Sequence, residues 1–242
     1  MIFRLSKKSF LCGNSVIGPS HIKNGIVNQD SFLLINHRKY KLAVVSDGMG
    51  SKKYAETGSK MACLSVKKEI ARFVKNKDSA LSMNQLFLNI IETWKKLILP
   101  HEPQDCSATC LFLFATKSKL LAARLGDGMI CLIGKDAADS ISMTDSKEEN
   151  FSNATQALSD SRAAEEFCYS FYDRKNFKGF VISSDGISSD METGKEMEFS
   201  AALFEELQNL HFWKRNRFIK KMMTEWPVPH HTDDKTLVAG GL

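Results

Sequence analysis

Three apolar stretches of this chain end on an aspartate followed at once by glycine: VVSDGMGS with Asp47-Gly48, RLGDGM with Asp127-Gly128, and VISSDGISSD with Asp185-Gly186. An aspartate leaving a buried strand puts a carboxylate at the rim of a sheet, and the glycine lets the backbone turn tightly beside it. Asp30, in NQDSF, stands just before another strand-like run, and Asp233-Asp234 stand just before the last one. Carboxylates converging on one rim repel one another and resist ionisation unless a cation sits among them. Oxygen donors without a histidine–cysteine cluster point to hard ions, Mg²⁺ or Mn²⁺. Any one Asp-Gly reads as an ordinary turn. The repeated context is what favours a site.

The elements that must position these groups are strands first. SFLLI (31–35), KLAVVSD (41–47), TCLFLFAT (109–116), LLAARLGD (120–127), MICLIG (129–134), GFVISSD (179–185) and TLVAG (236–240) are too apolar to alternate cleanly, as expected of strands covered on both faces. Between them, Ala62, Val66, Ile70, Phe73 and Val74 share one face of a helix over 55–75, and Leu86, Ile90, Ile91, Trp94, Leu97 and Ile98 share one face over 84–98. Two more helices fit 200–210 and 212–225. Strand pairs, two helices, more strand pairs, then two helices is not the alternation of a doubly wound sheet. It predicts antiparallel sheets packed together with helices outside. A single domain over 1–242 is expected, with the polar stretch 135–170 as a surface insertion between strands.

Composition narrows the partners. The net charge of +5 comes from dispersed lysines, and the densest basic run, Lys214 to Lys221, has the spacing of a solvated helix face. No continuous basic groove with stacking aromatics is visible, so no nucleic-acid partner is expected. No apolar run reaches the roughly 18 residues that span a membrane, and two lysines interrupt what would be the apolar part of a leader. Cys12, Cys63, Cys106, Cys110, Cys131 and Cys168 lie singly, mostly in apolar stretches, as reduced buried cysteines do. A cytoplasmic protein is expected. Serines before aspartates lack the G-x-S-x-G elbow, and neither a P-loop nor G-x-G-x-x-G is present. His230-His231 read as polar loop, and the sequon at Asn153 as unused.

The ordered series NQDSF, VVSDGMGS, DCSAT, RLGDG, VISSDG and DDKTLV resembles the metal-dependent protein phosphatases of type 2C, most closely the compact bacterial branch with SHxxxG…NQD at its front. The likeness runs from about Gly13 to Ala239. It implies an α+β fold, a four-layer α-β-β-α sandwich of two antiparallel sheets flanked by helix pairs. It implies two Mn²⁺ or Mg²⁺ ions and a weaker third. Asp47 would bridge both main ions, the Gly48 carbonyl would bind one, and Asp185 and Asp233 would hold the other. Asp30 would anchor the network directly or through water, and Asp127 would support the third ion. Three positions depart from the family. Gln29 stands where glutamate is frequent, Gly25 where an arginine grips phosphate, and Met49 where animal members carry a histidine proposed as general acid. His21 or Lys23 are the candidates to replace the arginine, with His21 preferred because it could also pass a proton.

The expected reaction is hydrolysis of phosphoserine or phosphothreonine in proteins by a water that two ions activate, with Asp47 and Asp185 catalytic and His21 assisting. The partners expected are phosphorylated proteins, opposite a serine/threonine kinase, met by a monomer. The rival is a catalytically weak or inactive family member that binds phosphoproteins or regulates. Loss of the metal aspartates would favour it, and this sequence keeps them.

Overall fold

The structure, a computed structural model, describes residues 9–75, 82–144, 155–229 and 231–242. His230, Asn153 and Ala154 lie outside the described residues. One sheet holds β1 (Leu11–Val16), β10 (Lys235–Gly241), β9 (Phe177–Ser183), β6 (Met129–Gly134) and β7 (Ile141–Met143), in that order. The other holds β2 (Ser31–His37), β3 (Tyr40–Ser46), β4 (Cys110–Ala115), β5 (Lys119–Leu125) and β8 (Cys168–Asp173). All neighbours pair antiparallel. Five long or short helices pack around them: α2 (Ala55–Lys75), α3 (Met83–Ile98), α4 (Ala163–Glu166), α6 (Glu196–Asn209) and α7 (Phe212–Thr224). Two further short helices, α1 (Pro19–Asn24) and α5 (Asp185–Ser188), lie at the rim.

The burial pattern explains the layering. Val45, Leu113, Ile130, Phe180 and Val238 meet between the sheets. Their strand neighbours point outward: Phe112 and Val44 pack with Val66, Ile70 and Trp94 of α2 and α3, while Leu237 and Val181 pack with Leu203, Phe204 and Ile219 of α6 and α7. Each central strand therefore buries both faces, which is why β4 and β6 are apolar throughout and β10 is apolar beyond its first two residues, Lys235 and Thr236. The result is α-β-β-α. α3 begins where the Ser82 hydroxyl caps the Gln85 amide at 3.2 Å.

The described parts of the stretch 135–170, residues 135–144 and 155–170, are tied to the core more closely than the polarity of the stretch implies. β7 pairs with β6, and Leu158, Ala163, Ala164 and Phe167 are buried in the layer under α2 and α3. Phe167 stacks on Phe87 at 4.3 Å. These apolar residues come in pieces too short to show a period. β1 and β8 escape the pattern for the same reason, while β1 nonetheless pairs with β10 along its whole length. Among the described residues no helix is long and apolar enough to cross a membrane.

Candidate functional site

β3 delivers Asp47 to the rim. The Ser46 hydroxyl donates to the Thr109 carbonyl at 2.6 Å, the Asp47 amide donates to Thr109 Oγ1 at 2.9 Å, and the Thr109 amide returns to the Asp47 carbonyl at 2.8 Å. Thr109, the last of DCSAT, thus fixes the aspartate on both sides. Gly48 follows because nothing larger fits: a Cβ there would collide with the Ala55 carbonyl and lie 2.9 Å from the Gln29 carbonyl oxygen. Asp185 leaves β9 as the first residue of α5. Asp127 occupies the turn between β5 and β6, where Thr155 Oγ1 donates to its Oδ2 at 2.9 Å. Three strand ends far apart in sequence so bring one oxygen each from Asp47, Asp127 and Asp185 within 4.8 Å of one another.

Asp30 completes the cluster from the entry to β2. It is buried, and its Oδ2 accepts from Ser184 Oγ at 2.7 Å. Burial is the largest cause of a rise in its pKa to about 6, and the charge of Asp234 adds to that rise. Asp185 rises to about 7, first through burial and then through Asp127, Asp233 and Asp30. Asp47 is pushed well above the usual carboxylate range, again by burial first and then by Asp30 and Asp185. Asp30 Oδ1 and Asp185 Oδ1 are buried with no donor among the described residues. Without a cation, carboxyls this buried and this close relieve one another's charge by taking up protons. A hard cation satisfies these oxygens far better than shared protons do, so the donor set fits the ions that the sequence implies.

The two adjacent aspartates do different work. Asp234 is buried and accepts backbone hydrogen bonds from Gly18 and Gln29, both at 2.6 Å. Asp233 faces the cluster, raising the pKa of Asp47 and Asp185, and shares a cavity of about 150 Å³ with Asp185. His21 Nδ1 approaches Asp234 Oδ2 at 2.9 Å, an ion-pair contact not aligned as a hydrogen bond. The ring therefore lies against the buried Asp234 carboxylate. His21 and Lys23 lie on α1, which starts at Pro19 and stops at Gly25, whose φ of 66° is left-handed. Met49 is held by its amide, which donates to the Ser107 carbonyl at 3.0 Å.

Sequence reasoning missed the supporting hydroxyls of Ser184, Thr109 and Thr155, and it missed Lys235. Lys235 is buried next to Asp233, and burial lowers its pKa while the charges of Asp190, Asp233, Asp234 and Asp30 oppose the fall. Its one visible signal is a lysine opening an otherwise apolar strand.

The family model described as protein phosphatase 2C matches residues 17–226. A search of the curated proteins returned no match. Among solved structures, the serine/threonine phosphatase Stp1 from Staphylococcus aureus is similar at a TM-score of 0.66 and 16% identity, over 97% of this chain and 95% of that one. The catalytic domain of the serine threonine protein phosphatase PstP, in complex with 2 manganese ions, is similar at 0.56 and 14% identity, over 96% and 97%. A C. elegans sex determining protein is similar at 0.65 and 12% identity, over 96% of this chain and 64% of that one. At such identities the structures speak for the fold alone, an antiparallel sandwich with outer helices, while the sequence match covers most of the chain. The chain belongs to the protein phosphatase 2C family.

Proposed function

We propose that this chain hydrolyses phosphoserine and phosphothreonine in proteins, with divalent Mn²⁺ or Mg²⁺ held by Asp30, Asp47, the Gly48 carbonyl, Asp127, Asp185 and Asp233. The observation that carries the reading is the meeting of Asp47, Asp127 and Asp185 oxygens within 4.8 Å beside buried carboxylate oxygens that lack donors. When bound, two ions would neutralise charge at the phosphate oxygens and lower the pKa of a water, and Asp127 would support a weaker third. The chain's part is to hold the carboxylates ready. Thr109 and Ser46 lock the Asp47 backbone, Ser184 orients Asp30, and Thr155 orients Asp127. In the reaction a water oxygen joins phosphorus as the P–O ester bond breaks, and the departing serine or threonine oxygen takes up a proton. His21 serves in this reading through Asp234, as a positioning residue for the segment between Gly18 and Gln29. The enzyme acts as a single-domain cytoplasmic monomer that opposes a serine/threonine kinase.

The test is hydrolysis of an aryl phosphate and of a phosphoserine peptide with Mn²⁺, with Mg²⁺ and with EDTA. Turnover is expected with either ion and none with chelator. Full activity in EDTA, after elemental analysis finds no metal, overturns the mechanism. Absence of turnover with both ions on both substrates favours the non-catalytic reading.

A further inference from the structure

A cleft of about 630 Å³ opens beside Asp233, between the end of β1, the segment 17–28 and α7. Most of its wall surface is apolar, from Val16, Pro19, Ile22, Val27 and Met223, with Lys220 on the α7 side and polar groups toward Asp233. Ile22 and Val27 are 63% and 58% exposed, and Ile26 beside them is 40% exposed. Side chains of this kind on a loose loop would fold away from water. These cannot, because the Asp234 carboxylate grips the backbone at Gly18 and at Gln29, one bond near each end of the segment. The Ser20 amide adds a third tie, to the Thr232 carbonyl at 3.1 Å. The apolar wall is therefore preformed, and preformed apolar surface at a site entrance is a recognition feature.

We propose that this cleft is the substrate-specificity pocket of the phosphatase, and that it takes a large aliphatic or aromatic side chain from the phosphoprotein segment close to the phosphorylated residue. The inference rests on the phosphatase reading and names its substrate class. Continuity carries it: Asp233 and Lys235 line both this cleft and the 150 Å³ cavity that contains Asp185. A peptide advances about 3.3–3.6 Å per extended residue, so a segment that runs along the shared Asp233–Lys235 wall carries residues next to the phosphoserine into the cleft. An apolar side chain there removes Ile22 and Val27 from water, whereas glycine leaves the walls wet. Lys220 adds a preference for an acidic residue further along the same segment.

The test uses synthetic phosphoserine peptides that carry leucine or glycine at each of the two positions on either side of the phosphoresidue. In at least one register kcat/KM should favour leucine by about tenfold or more, the scale of discrimination that an apolar pocket achieves. Ile22→Asn and Val27→Thr add no charge near Asp233 and replace exposed side chains, so both variants are expected to fold, which thermal melting checks. In each variant the leucine-to-glycine ratio should fall toward one. Equal kcat/KM in every register for the wild type, or a ratio that persists in both variants, overturns the proposal. If the wild type with Mn²⁺ hydrolyses no aryl phosphate, the phosphatase reading fails instead. The pocket is then read by fluorescence anisotropy of the same peptides on wild type and variants, where equal affinity for leucine and glycine peptides overturns it.

Discussion

Asp30 and Ser184, 154 residues apart in sequence, meet through a 2.7 Å hydrogen bond that joins the rims of the two sheets. The same serine oxygen accepts from the Thr236 amide at 3.0 Å, so one hydroxyl ties the entry of β2 to the start of β10. Ser184→Ala leaves a buried carboxylate oxygen and a buried amide without their partner. It should destabilise the protein by about 1–3 kcal/mol, read by urea unfolding. It should also weaken Mn²⁺ binding by roughly 10–100-fold in calorimetry, the usual effect of losing a group that orients a ligand. Unchanged metal affinity would remove Asp30 from the ion network.

Asp47→Asn and Asp185→Asn should each lower Mn²⁺-dependent turnover by several orders of magnitude. In EDTA the effect on stability has the opposite sign. Each substitution removes a charge whose formation burial and neighbouring carboxylates oppose. Both variants should therefore unfold at higher denaturant than the metal-free wild type at pH 7.5. Wild-type activity with unchanged stability would make these aspartates simple turn residues.

The pH dependence follows from Asp30 and Asp185, whose folded-state pKa values of about 6 and about 7 stand above the ordinary 3.8. A raised folded pKa means that the folded state holds its protons more tightly than the unfolded chain does. That stabilisation is complete below about pH 4 and is lost as pH rises through 6 and 7. Metal-free protein should lose at least roughly 5 °C of melting temperature between pH 5 and pH 8. Saturating Mn²⁺ competes with those protons, so the rise in melting temperature that it causes should be larger at pH 8 than at pH 5.5. An increment independent of pH would separate the ions from these carboxylates.

Asp233→Ala and Asp234→Ala should fail in different ways. Loss of Asp233 should abolish metal-dependent turnover and leave the thermal midpoint close to wild type. Loss of Asp234 strands the Gly18 and Gln29 amides and the His21 ring, and should cost about 3–5 kcal/mol of stability. The reverse pattern in melts and assays would exchange the two roles.

Strands carrying Asp47 and Asp185 were legible because a fully buried strand must be apolar along its length and must end abruptly. Convergence of the Asp-Gly aspartates was legible from their repeated context. The division of labour between Asp233 and Asp234 was not, since adjacent aspartates look alike until the fold shows which one meets backbone amides. α1 escaped because its six residues, PSHIKN, are too few to display a helical period, and none is buried. His21 was therefore singled out as a candidate phosphate or proton group without the helix that carries it. β8 escaped because CYSFYD is a half-covered edge strand with Tyr169 and Phe171 largely exposed, so neither alternation nor a continuous apolar run marks it.

Gly25 stands where the resemblance expects an arginine, and its geometry limits how that grip on phosphate could be regained. Nothing lies within 4 Å of the place a Cβ would take, so space is no obstacle. The obstacle is the left-handed φ of 66°, which an L side chain adopts at a cost of roughly 1–2 kcal/mol. An arginine introduced there would either strain the end of α1 or unwind it. Restoring the grip thus carries the strain of a left-handed residue at the helix end in addition to the change of side chain.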